Sequence, residues 1–177
     1  MQKFYLPLFL LALVVLEGVA LDFIPNISVL DDLLVIPHWL LVFLVMVAVF
    51  YDQENTYFSI VNAILFGLLI DVVYTSVIGV YMFVYALTIY LIHGLSKLLH
   101  TNYFVVLLMT IIAVGIADIG IYFIYFFIGT MDIFWEEYMM TRLIPTILAN
   151  ILFFLICYPI VKRKLVKWSI VQFDRKK

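Results

Sequence analysis

The chain has 177 residues, of which 67% are hydrophobic and 12% charged, with 10 Lys and Arg against 12 Asp and Glu. A formal charge of −2 leaves no concentrated basic face for nucleic acid. The apolar residues come in runs that reach the roughly 20 residues needed to cross a bilayer, and loops of about ten residues leave no room for a soluble catalytic domain.

Six spans are expected in one all-α transmembrane domain covering 1–177, at roughly 4–23, 33–50, 57–73, 77–93, 103–129 and 143–161, with a basic tail over 162–177. Span one carries Glu17 and Gly18 and lacks the small-residue cleavage site of a signal peptide. The loop Pro25 to Asp32 reads as irregular, because Pro-Asn favours a turn. Pro37 suits the first helical turn of span two, and Trp39 suits the interface. Residues 57–93 are nearly uncharged over 37 residues. One helix of that length would run about 55 Å, so the segment folds back as a hairpin near Asp71 and Tyr74-Thr75-Ser76, with Gly79 just beyond.

The link from His93 to Asn102 is the most polar interior segment. Span five is long and tilts. The loop Thr130 to Arg142 holds three acids and Trp135, and a short helix lying on the surface is expected there. After span six, residues 165–173 mix apolar side chains with Lys167 and are expected to rest in the headgroup layer.

Charge sets the expected orientation. With the N-terminus inside, Lys3, Lys97, Lys162, Arg163, Lys164, Lys167, Arg175, Lys176 and Lys177 are cytoplasmic. Only Arg142, of the 10 basic residues, is then outside. The tail reads as a topology anchor beside anionic membrane lipid. The single Cys157 makes no intrachain disulfide.

Three carboxylates fall within spans: Glu17, Asp71 and Asp118. A charge at bilayer depth is costly, so such groups face the bundle interior and find partners. For Glu17 and Asp71 the reading is a structural contact between helices. For Asp118 a structural contact and an ion or proton relay stay open. Ala63, Gly67 and Asp71 share one helix face at i, i+4, i+8, beside Asn62. Small residues on such a face let another helix approach closely. Ala113 and Ala117 form a similar pair beside Asp118. Arg142 is expected to pair with Glu136 or Glu137 at the surface, and Asn150 with Asp118 or Asn62. His38, His93 and His100 do not converge on a metal site, and no cofactor is expected. Gly94-Leu95-Ser96 lies at the membrane edge and not in a shielded interior, and Glu136-Glu137 lacks the spacing and histidine of a prenyl-protein protease. The chain reads as a non-enzyme.

Gly67-Leu68-Leu69-Ile70-Asp71, then Gly79, resembles the G-L-L-x-D element and following glycine of the MreD family of rod-shape-determining proteins. Arg142, Pro145 and Asn150 resemble that family's Arg-x-x-Pro pair and span-six asparagine, and the length and span number agree. The glycine that often precedes G-L-L is replaced by Asn62-Ala63-Ile64-Leu65-Phe66. The resemblance implies a non-catalytic subunit of the bacterial cell-elongation machinery. Its implied partners are MreC, MreB filaments, RodA and RodA's partner transpeptidase. The family is also similar in architecture to the S components of energy-coupling-factor vitamin transporters, which supplies the alternative function. Span one is bulky and lacks an S component's regular alanine face.

Overall fold

The structure is a computed structural model that describes residues 5–23, 33–53 and 56–173. The loop Pro25 to Asp32 and the residues Lys3, Arg175, Lys176 and Lys177 lie outside these. The described residues contain helices and no strand. The helices are α1 (Tyr5–Phe23), α2 (Trp39–Phe50), α3 (Phe58–Tyr74), α4 (Val80–Leu98), α5 (Tyr103–Ile128), the single turn α6 (Trp135–Tyr138) and α7 (Ile144–Phe173). A π-helical turn, Met139–Leu143, joins α6 to α7.

Helix is the expected form for such apolar sequence, because it satisfies every backbone polar group within the segment. Three helical stretches are long and apolar enough to cross a membrane: Val80–Leu98, Tyr103–Ile128 and Trp135–Val171. Tyr5–Leu21, Trp39–Phe50 and Phe58–Tyr74 are shorter apolar helices.

The centre of the bundle is α2. Nine consecutive residues, Leu40 to Ala48, are buried. A helix that is apolar all round belongs inside a protein, and α2 touches α1, α3, α4, α5 and α7. It is shorter than the expected span. At 12 residues it reaches only about 18 Å. Residues 33–38 are not helical, so Pro37 precedes the helix instead of opening its first turn. This segment runs beside α7, where Leu34 N donates to Thr141 O (2.8 Å) and Ile36 N to Thr146 Oγ1 (3.1 Å).

Local chemistry sets the other ends. Asn102 caps α5 by accepting from Val105 N at 2.9 Å. Gly129, at φ 78°, ends that helix in the left-handed region. At the turn between α3 and α4, Gly79 takes φ 104°. The hairpin therefore reverses where the sequence predicts.

Two expectations are corrected. Helix α4 runs to Leu98, so most of the polar link from His93 is helical. Helix α7 continues through Pro159 to Phe173, so residues 165–173 prolong the last helix and are not a separate segment. Leu165 is fully buried, Trp168 stacks on Tyr5, and Ser169 Oγ donates to Tyr51 O at 3.0 Å.

Candidate functional site

Each intraspan carboxylate is engaged by hydrogen-bond donors of another segment. Glu17 of α1 is buried and accepts from Leu40 N at 2.6 Å. It thereby caps α2, whose own preceding residue, His38, provides no side-chain cap. A helix start exposes unpaired N–H groups and the positive end of the dipole, so a carboxylate there is stabilising.

Asp71 of α3 does the same for α4. Its side chain is fully buried and accepts from Gly79 N (3.0 Å), Tyr81 N (2.9 Å) and Met82 N (2.9 Å). Gly67 makes this approach possible. A Cβ on Gly67 would stand 2.8 Å from Met82 Cα and 3.0 Å from Tyr81 O, both backbone atoms. Ala63 lies one turn back and is fully buried. The face Ala63–Gly67–Asp71, with Gly79, is thus an internal α3–α4 joint. Asn62 turns its amide on its own helix, donating to Phe58 O at 2.7 Å.

Asp118 of α5 forms the third site. Arg142 donates to its Oδ1 from Nε (3.2 Å) and Nη2 (3.0 Å), and Tyr138 Oη donates to Oδ2 at 2.5 Å. His38 Nε2 lies 3.4 Å from Oδ1, and His38 Nδ1 lies 2.7 Å from Tyr85 Oη. A neutral imidazole with its proton on Nε2 satisfies both contacts, donating to Asp118 and accepting from Tyr85. His38 and Asp118 are both fully buried. The network thus joins α4, α5, α6, the segment before α2 and the π-helical turn.

The expected pairing of Arg142 with Glu136 or Glu137 is corrected. The segment opens on the expected short helix, with Trp135, Glu136 and Glu137 exposed. From α6 it turns inward through the π-helical turn, burying Tyr138 completely and Arg142 to 8% exposure. The guanidinium then meets Asp118 in the interior. The Arg142 plane also lies 5.9 Å from the Tyr138 ring centroid.

Asn150 is likewise bound by neither Asp118 nor Asn62. Its Oδ1 accepts from His38 N (2.8 Å), and its Nδ2 donates to Ile36 O (3.0 Å) and Thr146 O (2.8 Å). It replaces the helical hydrogen bonds that residues 36–38 forgo. Pro145 lies just after the π-helical turn, inside the continuous helical stretch Trp135–Val171; its missing N–H withdraws one helical donor, and the Thr141 carbonyl one turn back accepts from Leu34 N instead. Sequence reasoning misses His38, Tyr85 and Tyr138. Tyr138 and Arg142 stand at i, i+4, which was the available signal.

At the α3–α4 turn end of the bundle, an open pocket of about 320 Å³ is bordered by Tyr81, Tyr125, Thr130 and Arg142. At the opposite end a second cleft lies against Asp52, His93 and Lys97. Asp52 caps α3, accepting from Ser59 Oγ (2.5 Å), Ser59 N (3.0 Å) and Phe58 N (3.2 Å). Burial pushes its carboxyl up from 3.8 to about 6, against those donors. Among the described residues, no three His, Cys, Asp or Glu side chains gather as for a metal ion.

A bundle of apolar helices, three of them long enough to cross a membrane, with its buried charges engaged at helix joints is that of a helical membrane protein. The family model for rod shape-determining protein MreD matches residues 2–168, and the chain belongs to that family. A rod shape-determining protein MreD of Bacillus subtilis (strain 168) is 33% identical over 151 residues, covering 85% of this chain and 86% of that protein. No solved structure matches.

Proposed function

We propose that this chain is a non-catalytic, six-span subunit of the bacterial cell-elongation complex. It binds MreC and helps link RodA and its partner transpeptidase to MreB filaments. Both termini are cytoplasmic, and the 130–142 loop is outside. Family membership supports the role in cell shape. The observation that carries the scaffold reading is the engagement of Glu17, Asp71 and Asp118. Each is held by donors within the fold, so their charges stabilise helix joints. The orientation is supported by the placement of Lys97 and Lys162 beside the C-terminal end of α2 and of Arg142 toward the other end of the bundle.

A second reading, a substrate-binding S component of a vitamin transporter, is favoured only by the polar pocket beside Arg142. Co-purification in mild detergent followed by mass spectrometry separates the two. Recovery of MreC and the wall synthases is expected, and recovery of an ATPase module in their place would reject the scaffold. Orientation is tested with an impermeant thiol reagent on Asp132→Cys and Lys177→Cys in intact cells. Only Asp132→Cys should label.

A further inference from the structure

The pocket at the α3–α4 turn end of the bundle has about 320 Å³ of space, at the lower end of the range for ligand sites. Its wall includes Tyr81 of α4, Tyr125 of α5 and Arg142 of the π-helical turn. Arg142 is only 8% exposed, and Asp118 takes one side of its guanidinium, through Nε and Nη2. Two of its five N–H groups are thereby used, and the other three, two of them on Nη1, have no acceptor among the described residues. The hydroxyls of Tyr81 and Tyr125 likewise donate to nothing there. The Tyr81 ring is fixed all the same, its centroid 5.5 Å from that of Tyr85 and 6.5 Å from that of His38. Donors of a largely buried cation are costly to leave unmet, and π-helical turns such as the one that carries Arg142 inward are frequent at functional sites.

The chemistry of the wall selects the ligand. Among the described residues no Asp or Glu borders the pocket, and Asp71 and Asp118 are turned on their own donors. Tyr74 Oη donates to Val14 O, Thr75 Oγ1 to Asp71 O and Thr130 Oγ1 to Tyr125 O. Apart from the exposed Ser76 hydroxyl, what the wall leaves for a ligand is the outer edge of Arg142 and two tyrosine hydroxyls. Parallel N–H groups on a planar cation match the paired oxygens of an anion. Asp118 already offsets part of the Arg142 charge, which favours an anion of one charge over a phosphate of nearly two. We propose that this pocket binds a carboxylate, gripped by the outer edge of Arg142 and by the hydroxyls of Tyr81 and Tyr125. A small acid and the C-terminal end of a peptide share this group.

The test uses the full chain, carrying ¹⁵N-arginine, in dodecyl maltoside and a buffer without carboxylate. Arg142→Lys identifies the Arg142 guanidinium signals. Four compounds are titrated: acetyltriglycine, its C-terminal amide, acetate and inorganic phosphate. The Arg142 signals should move with acetyltriglycine and not with the amide. Tyr81→Phe and Tyr125→Phe remove only hydroxyls that bond nothing among the described residues, so both should fold as the parent does. Each should weaken binding about tenfold. Weaker binding of acetate assigns the site to a peptide terminus. Equal or tighter binding of acetate keeps the carboxylate site and assigns it to a small acid. The proposal is overturned if neither carboxylate moves Arg142, if the amide moves it equally, if phosphate binds more tightly than both, or if both tyrosine variants bind as tightly as the parent. Binding in detergent is read on the chain alone, so it stands or falls separately from which proteins co-purify with it.

Discussion

Asp118 and Arg142 stand 24 residues apart in the chain and meet at 3.0 Å, with two guanidinium nitrogens on one carboxylate oxygen. The pair is buried, so it is worth most as a constraint: removing one member strands the other's charge. Asp118→Asn should therefore destabilise the protein by about 3–5 kcal/mol. Arg142→Lys keeps the charge and gives up the two-nitrogen grip, so its loss should be smaller. Replacing both residues with apolar side chains of similar volume should recover much of the stability. Melting in detergent reads all three variants. If the double replacement is no better than Asp118→Asn, the pair does more than hold the fold.

Gly67 leaves no room for a methyl group against the α4 backbone. Gly67→Ala should cost about 1–3 kcal/mol from overpacking, although alanine favours helix and lipid over glycine. Gly67→Leu should be worse and still insert into the membrane. The measurement is the melting temperature of protein extracted from membranes at normal abundance. A Gly67→Ala protein as stable as the parent would place this face away from α4.

The Ala63–Gly67–Asp71 face was legible because helical spacing alone puts the three residues together. What Asp71 binds was not, since its partners are backbone amides, and every residue except proline carries one. The same limit hid the partners of Glu17 and Asn150. Arg142 was misplaced for a different reason. A loop with three acids and a tryptophan reads as surface, and nothing in its composition announces a π-helical turn that carries Tyr138 and Arg142 inward. His38 was lost because an apolar run over 33–50 reads as one helix. The interruption at 33–38 is held because Thr141 of the π-helical turn and Thr146 and Asn150 of α7 replace the missing helical bonds.

Asp52 gives a pH dependence with a definite sign. Its carboxyl is raised from 3.8 to about 6 in the folded chain by burial. The folded state then holds this proton more tightly than the unfolded chain, so Asp52 lowers stability as pH rises from about 4 to about 6. Above that range both states are ionised and the slope disappears. Asp52→Asn removes the titration. The difference in melting temperature between parent and variant should change across this window and stay flat above pH 7. A constant difference from pH 4 to pH 8 would contradict the buried carboxyl.

Asp71 separates shape from charge. It accepts three backbone N–H groups and donates nothing. Asparagine has the same outline but one accepting oxygen. With that oxygen at the Oδ2 position it retains the bonds from Gly79 and Met82, while its NH₂ group faces the N–H of Tyr81. Leucine retains none of the three and strands them beside an apolar side chain. Asp71→Asn should therefore cost about 1–2 kcal/mol, in the range of a lost helix cap, and Asp71→Leu clearly more. Cell shape should follow the same order when each variant is the sole copy in a depleted strain, with abundance checked by immunoblot. If both variants accumulate normally and both fail completely to restore rods, the carboxylate itself is required, and Asp71 has a role beyond holding α4.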